Sequence, residues 1–143
     1  MTNLYLAHPI LDRKRIRRIE TELEKDLGIE LINPFYDTAE RTDILKLDSG
    51  RIKPFSRRFN EKKIVEGDLK LIRAADGLLG IIGKKTTVGT LMEIFYAGVV
   101  LKKPVYLVIE KKKLRGHPWL RYCADEIFPN FEEAKRFLRK KLK

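Results

Sequence analysis

Two kinds of segment alternate along this chain. Short runs that are almost wholly apolar occupy residues 3–7, 29–32, 77–82 and 104–109. Continuous hydrophobicity over about four to eight residues is typical of parallel strands that are covered on both faces. A fifth short strand is predicted at 126–128, just before a polar capping signature. The pattern therefore predicts four to five buried strands.

Between these runs, apolar residues recur at helical spacing. This periodicity predicts helices over 12–27, 61–75, 90–101 and 131–142. Asp12 is predicted to cap the first helix, and Gly28 to end it. Asn130 followed by Glu133 predicts the cap of the last helix.

Strands that alternate with helices indicate parallel βαβ units with right-handed crossovers. A length of 143 residues fits one domain, spanning residues 1–143. We predict an α/β fold, a single-domain doubly wound parallel sheet of the flavodoxin or Rossmann kind with helices on both faces. Residues 35–60 carry no clear period, which is typical of a functional lid or a disordered segment, and their aromatic side chains favour a lid.

The amino-acid composition indicates the conditions and the compartment in which the protein works. The charged share is 36% and glutamine is absent, a balance that resembles heat-adapted proteins. The single cysteine, Cys123, excludes an internal disulfide and suits a reducing cytoplasm. The chain enters a strand pattern at its start, so no signal peptide is expected, and no apolar run approaches the roughly 20 residues that span a bilayer. We therefore expect a cytoplasmic protein.

The formal net charge of +11 raises the question of a nucleic-acid partner. The basic residues are dispersed along the chain in short runs, those at 84–85, 111–113 and the C-terminus among them. No zinc-ligand spacing, RNA-binding aromatic motif or helix-turn-helix pattern accompanies them. The sequence therefore argues against nucleic-acid binding, and an anionic nucleotide or a solvated surface accounts for the charge equally well.

The segment 86–97 follows a predicted strand and opens a helix. In open α/β sheets, ligands bind at this place, beyond the carboxyl end of a strand. Thr90 stands three residues before Glu93. Spacing alone favours a capping box, in which the Glu93 carboxylate returns to the Thr90 amide. The alternative is a carboxylate nucleophile at the edge of the sheet.

Other side chains are candidates for the same edge. Tyr5, near the end of the first strand, either orients a carboxylate or fills the core. Asp68, in the helix before the third strand, is either functional or solvated. Asp76 is expected at the opposite end of the sheet, in a cap or turn. His8 has no partner at metal-ligand spacing, so no metal site is predicted.

The helix around Glu93 is apolar nearly all round. A surface helix normally has a polar face, so a second apolar face predicts contact with another copy of the chain and a homo-oligomer. The residues predicted to face the sheet are Leu91, Ile94 and Phe95, and those on the other side are Met92, Tyr96 and Val99.

Three segments in order, YLAHPI, GDLKLIRAADGLLGII and VGTLMEIFYAGVVLKKPVYLVI, resemble the nucleoside 2-deoxyribosyltransferase family over about residues 3–109. The resemblance implies that Glu93 attacks the anomeric carbon of a 2′-deoxynucleoside and forms a covalent deoxyribosyl ester, as in a retaining glycosidase. A second nucleobase or water then takes the sugar. It implies that Asp68 handles the nucleobase and its proton, that Tyr5 orients the nucleophile, and that no cofactor is needed.

The resemblance also implies a set of substrate-binding residues. They are Ala7, His8, Pro9, Thr87, Gly89 and Thr90. The chain departs from the family pattern where His8 and Phe95 replace glycines, and where Thr87 stands in place of an aspartate found in some members. These departures leave the accepted nucleobases open.

A related branch of the family hydrolyses 2′-deoxynucleoside 5′-monophosphates with a loop rich in glycine and arginine after the first strand. Here that loop keeps Arg13 and Arg15 but lacks the glycines, so transfer is favoured over hydrolysis. Two other classes stay open: a nucleotide-binding module in which Glu93 only caps its helix, and a basic nucleic-acid-binding protein.

Overall fold

Five strands form one parallel sheet in the computed structural model, which describes residues 2–37, 61–85 and 88–142. The strands are β1 (Asn3–Ala7), β2 (Glu30–Ile32), β3 (Gly77–Ile82), β4 (Val105–Ile109) and β5 (Glu126–Phe128). Their order is β2-β1-β3-β4-β5, and every pairing is parallel. The predicted doubly wound α/β sheet is confirmed. Beyond Asp37, the predicted lid lies outside the described residues.

Helices cover both faces of the sheet. They are α1 (Arg13–Leu27), α2 (Glu61–Ala74), α3 (Val88–Phe95), α4 (Pro118–Cys123) and α5 (Phe131–Lys141). One core lies between the sheet and α1 with α5, and the other between the sheet and α2, α3 and α4. Within the described part of the chain, no helix has the length and apolarity needed to cross a membrane.

The predicted helix ends are partly right. The Asn130 side chain accepts a hydrogen bond from the Glu133 amide at 2.9 Å, which confirms the cap of α5. Gly28 ends α1 with a left-handed φ of 65°. The predicted cap by Asp12 is wrong, because this side chain makes no cap hydrogen bond. A 3₁₀ turn, Ile10–Asp12, precedes α1, and the Asp12 carboxylate pairs instead with Arg15 at 2.7 Å.

The predicted capping box at Thr90 is also wrong. Helix α3 begins at Val88, so Thr90 lies inside its first turn with 1% of its surface exposed. Thr90 and Ile94 are four residues apart and share the side of the helix that faces the sheet. A π-helical turn, Tyr96–Val100, continues α3. Glu93 therefore does not cap its own helix.

The sheet-facing side of α3 differs from the prediction. Leu91 and Phe95 are each 40% exposed, whereas Ile94 is buried. The cause is Gly80 in β3, where an added Cβ would lie 3.1 Å from the Ile94 side chain. Because Gly80 has no side chain, Ile94 packs directly on the strand, and this contact turns Leu91 and Phe95 outward.

Helix α4 was not predicted from the periodicity. His117 caps it by accepting a hydrogen bond from the Trp119 amide at 3.3 Å, and Pro118 occupies its first turn. Its end approaches the π-helical turn at Gly98, where an added Cβ would lie 2.5 Å from the Cys123 carbonyl oxygen. This close approach joins α3 to α4.

Gly98→Ala is expected to destabilise the protein. Alanine gains about 0.5–1 kcal/mol over glycine in a helix, but the clash is with backbone and overpacking costs about 1–3 kcal/mol. The clash should win, and the midpoint of urea unfolding should fall. Gly116→Ala is the matched control, because a Cβ there meets no atom within 4 Å. Equal midpoints for the two variants would contradict the packing described.

Candidate active site

The carboxyl ends of β1 and β3 form the topological switch point of this sheet. From β1 the chain crosses to β2 on one side, and from β3 it proceeds to β4 and β5 on the other. Ala7 and Gly80 are paired in register there. Both are small, so α3 packs close to the strands at the edge where ligands of such sheets bind.

Tyr5 and Glu93 meet at this edge. Tyr5 is fully buried in β1, and its hydroxyl donates a hydrogen bond to Oε2 of Glu93. Glu93 is partly buried and lies on α3, 88 positions further along the chain. The carboxylate is thus held by a side chain from the neighbouring strand rather than by the start of its own helix.

The surroundings of Glu93 favour its neutral form. Burial, and after it the negative charge of Asp68, raise the pKa of Glu93, whereas the hydrogen bond from Tyr5 lowers it, and together they bring this pKa from 4.5 to about 8. Burial, followed by the charges of Glu93 and Asp68, raises the pKa of Tyr5 well above its ordinary value. A carboxylate formed here is poorly solvated, as an activated nucleophile requires.

Asp68 lies on α2, partly buried, and its charge acts on both Tyr5 and Glu93. Asp76 lies at the other end of the sheet, as expected. Its carboxylate accepts from the Asn3 amide at 3.0 Å, and its own amide donates to Asn3 Oδ1 at 2.8 Å. The three candidate catalytic residues therefore share one electrostatic environment, and Asp76 does not belong to it. Their roles stay predictions.

The predicted substrate-binding residues lie in different surroundings. Ala7, His8 and Pro9 are buried directly after or at the end of β1, and Thr90 is buried inside α3. Gly89 is exposed at the start of α3. Thr87 lies outside the described residues. Contact between substrate and any of them stays a prediction.

His8 is held tightly at the edge of the sheet. It is 2% exposed, its Nδ1 lies 2.9 Å from the Leu6 carbonyl oxygen, and Phe35 packs against it edge to face with ring centres 4.9 Å apart. Because a carbonyl only accepts, Nδ1 carries the proton and Nε2 keeps its lone pair. Burial lowers the pKa of His8 to about 4. The ring is therefore neutral near pH 7.

A charged bridge at the same edge was not predicted from the sequence. Nη2 of Arg15 lies 2.7 Å from Asp12 and 2.6 Å from Glu110. An added Cβ at Gly83 would lie 2.9 Å from the Glu110 carboxylate, so the glycine leaves room for the bridge. Gly83 and Glu110 each directly follow the last residue of a strand. That position in the sequence is the feature from which their place at this edge could have been predicted.

A cavity of about 360 Å³ lies beside α1. Its lining residues are mostly cationic: Leu11, Asp12, Arg13, Lys14, Arg15, Arg18 and Lys85. It includes none of Tyr5, Asp68 and Glu93. Among the residues described, no group of three or more His, Cys, Asp or Glu side chains is arranged to hold a metal ion.

No family model matches this sequence, and a search of curated proteins finds no match. Solved structures do match. A 2-deoxyribosyltransferase from the psychrotolerant bacterium Bacillus psychrosaccharolyticus is 20% identical with a TM-score of 0.68, and the match covers 94% of this chain and 90% of that one. A conserved protein from Enterococcus faecalis V583 is 16% identical with a TM-score of 0.72, and 99% of each chain is covered.

A CMP N-glycosidase from Clostridium botulinum is 21% identical with a TM-score of 0.53, and the match covers 99% of this chain and 100% of that chain. Identities of this size show a shared fold. The resemblance of the sequence to the nucleoside 2-deoxyribosyltransferase family is thereby confirmed at the level of the fold.

Proposed function

We propose that this protein is an N-glycosidic enzyme, which cleaves 2′-deoxynucleosides and transfers the deoxyribosyl group to another nucleobase. The observation that carries the proposal is the hydrogen bond from Tyr5 to Glu93 at the switch point of the sheet. A fold shared with a 2-deoxyribosyltransferase and a CMP N-glycosidase supports the same class of reaction.

In the first half of the reaction, ionised Glu93 attacks C1′ of the sugar. The C–N bond breaks, its electron pair leaves with the nucleobase, and a proton reaches the base by way of Asp68. The transition state has oxocarbenium character, and the hydrogen bond from Tyr5 holds the attacking carboxylate in line. The product is an uncharged ester. Since burial disfavours a charged Glu93, the same burial stabilises the ester relative to the carboxylate.

In the second half, a nitrogen of an acceptor nucleobase attacks C1′ of the ester. The C–O bond breaks, Glu93 recovers its negative charge, and Asp68 accepts the proton that the acceptor base releases. Water in place of the base would give free deoxyribose. Exclusion of water from the buried edge therefore decides between transfer and hydrolysis.

Asp68→Asn is expected to shift the pH profile of kcat/KM to lower pH. The acid limb follows the ionisation of Glu93, whose pKa of about 8 is partly due to the charge of Asp68. Removing that charge lowers the pKa of Glu93, while loss of proton transfer to the base lowers kcat by about 10²–10⁴-fold. Asp76→Asn, at the far end of the sheet, should cost stability and leave the limb in place. A limb that stays fixed or rises in Asp68→Asn would refute the coupling.

The function itself is tested by chromatography of the purified protein with deoxyinosine or deoxyuridine, each with and without free adenine. Appearance of deoxyadenosine is the expected result. Release of free base without a new nucleoside would replace transfer with hydrolysis. A folded protein that turns over neither substrate would leave the alternative of a nucleotide-binding module.

A second candidate function is N-hydrolysis of 2′-deoxynucleoside 5′-monophosphates. It is favoured by the cationic cavity beside α1, whose lining includes Arg13 and Arg15 just beyond β1. Cleavage of dAMP at a rate well above that of deoxyadenosine would support this candidate. The reverse preference would support transfer between nucleosides.

We also propose that the protein forms a homo-oligomer through the outer side of α3. Val88, Met92 and Phe95 are 70%, 67% and 40% exposed, and Phe95 touches Trp119, which is 66% exposed. Monomers seldom expose apolar patches of more than about 300–600 Å². In the proposed oligomer, a second copy covers this apolar stripe, which continues from α3 to α4. Light scattering in solution should therefore give a mass above that of one chain.

A further inference from the structure

We infer that the carboxyl edge of the three central strands, β1, β3 and β4, binds a single strand of nucleic acid through its phosphate backbone. This inference goes beyond the proposed function and does not depend on it, since it uses none of Tyr5, Asp68 and Glu93. It concerns the formal net charge of +11, which the proposed reaction does not explain.

The fold gathers basic residues that are dispersed in the sequence. Strands β1, β3 and β4 are adjacent and parallel, so the segments that follow them meet at one edge of the sheet. Two contacts confirm this placement. The Arg15 guanidinium lies 2.6 Å from Glu110, and Nε of Arg115 donates to the Ile109 carbonyl oxygen at 2.7 Å. We call this region the basic edge, and it consists of the segments 13–18, 84–85 and 111–115.

The positive charge of the basic edge exceeds the acidic charge beside it. The acidic residues that directly precede two of its segments, Asp12 and Glu110, are both bound to the same side chain, Arg15. The lysines at 84–85 and 111–113 are exposed, and none of them forms an ion pair with another residue that the structure describes. Like charges that lie close together repel one another, and a bound polyanion relieves this repulsion.

The basic edge is narrow and has acidic borders. Neighbouring strands lie about 4.8 Å apart, so three strands span about 10 Å. On the side of β5, helix α5 begins with exposed Glu132 and Glu133, and on the side of β2, exposed Asp37 follows the strand. These carboxylates repel the phosphates of a second strand. The basic edge therefore fits one nucleic-acid strand better than a duplex.

A single phosphate group would use only part of this surface. The cavity of about 360 Å³ is lined by cations of α1 and by Lys85, and its lining does not include the lysines at 111–113, which follow β4. A backbone with a phosphate at each nucleotide reaches both parts of the edge. Contacts between such cations and phosphates give affinity without sequence preference and make that affinity depend on salt.

The test measures binding of a labelled single-stranded DNA of about 20 nucleotides, longer than most single-strand sites, by fluorescence anisotropy. The logarithm of the affinity should fall linearly with the logarithm of the salt concentration. Combining Lys111→Gln, Lys112→Gln and Lys113→Gln should reduce this slope by about two and weaken binding by about 10–100-fold at low salt.

The matched control combines Arg139→Gln, Lys140→Gln and Lys141→Gln. These exposed residues form the last turn of α5, which starts at the carboxyl end of β5 and runs back towards the other edge of the sheet. The control removes the same charge and should leave the slope unchanged. Equal losses in the two combined variants would mean that net charge alone attracts the strand, and would overturn the assignment to this edge.

Competing ligands decide the partner. Free dATP should displace the labelled DNA only at a much higher concentration, because it has no backbone of successive nucleotides. Displacement at an equal concentration would replace the nucleic acid with a single nucleotide as the ligand. Tighter binding of the duplex than of the single strand would contradict the acidic borders. Binding to phosphatidylserine vesicles with none to DNA would replace the nucleic acid with an anionic lipid surface.

The outcome is separate from that of the proposed function. The lysines at 111–113 belong to none of the groups assigned to the reaction, so the combined variant should turn over deoxynucleosides at the wild-type rate. A protein that turns over deoxynucleosides but does not bind DNA would overturn this inference alone. Salt-dependent DNA binding at the basic edge without turnover would overturn the proposed function alone.

Discussion

Glu93→Gln is expected to abolish turnover of every 2′-deoxynucleoside that the wild-type protein cleaves, with a loss of at least about 10⁴-fold in kcat. An amide has the shape of a carboxyl group but does not form the sugar ester. Acid-quenched wild type should carry the mass of one deoxyribosyl group, and the variant should not. The matched control is Glu22→Gln on the exposed side of α1, which should retain full activity.

The same substitution has a consequence for stability. The pKa of Glu93 in the folded protein, about 8, lies above its ordinary value of 4.5. Its contribution to stability is therefore complete below pH 4.5 and is lost as pH rises through 8, by about 1.4 kcal/mol for each pH unit that separates the two pKa values. Glutamine imitates the protonated form at every pH. The unfolding free energy of the wild-type protein should thus fall between pH 5 and 9, a range set by these two pKa values. The unfolding free energy of Glu93→Gln should fall less over the same range. Parallel curves would refute the burial of this carboxyl.

Tyr5→Phe is expected to lower kcat by about 10²–10³-fold, the usual cost of removing one positioned donor from a reacting oxygen. It should also move the acid limb of the kcat/KM profile to higher pH, because the Tyr5 hydroxyl lowers the pKa of Glu93. Tyr106→Phe is the control, since Tyr106 is 4% exposed in the same sheet but belongs to the core on the opposite face. Equal losses in the two variants would mean that Tyr5 serves only packing.

Tyr5→Phe and Asp68→Asn should therefore displace the same limb in opposite directions. A general loss of structure has no such signature, because it lowers activity without a directed change in the pKa of one group. Measured together, the two pH profiles distinguish the effect of the Tyr5 hydrogen bond on the pKa of Glu93 from the effect of the Asp68 charge.

The strands were predicted well from the sequence because their boundaries are local. The runs at β1, β3 and β5 match the structure residue for residue. In β1 the apolar run ends at His8 and Pro9, and Pro9 has no N–H for a ladder. Gly28 and Asn130 likewise act through their own backbone and nearest neighbours. Such signals require no knowledge of the tertiary fold.

The errors occurred where distant contacts decide. The spacing of Thr90 and Glu93 fits a cap, but Ile94 packs on Gly80 and fixes which side of α3 faces the sheet. The 88 positions between Tyr5 and Glu93 carry no periodicity that reveals their contact. The place of Tyr5 near the end of the first strand left packing in the core equally open, and the family resemblance favoured the contact. The bridge from Arg15 to Glu110 spans a similar gap and has no local pattern.

The hydrogen bond between β1 and α3 also makes this site a reporter of folding. Neither half of the chain holds Glu93 in position alone, since the donor and the acceptor are 88 positions apart. Contacts of such long sequence separation carry the cost of closing a long loop and form slowly. During refolding, helical signal should return before catalytic competence does. Recovered activity would then time the docking of α3 onto the central strands, a step that spectroscopic probes of helix content do not detect.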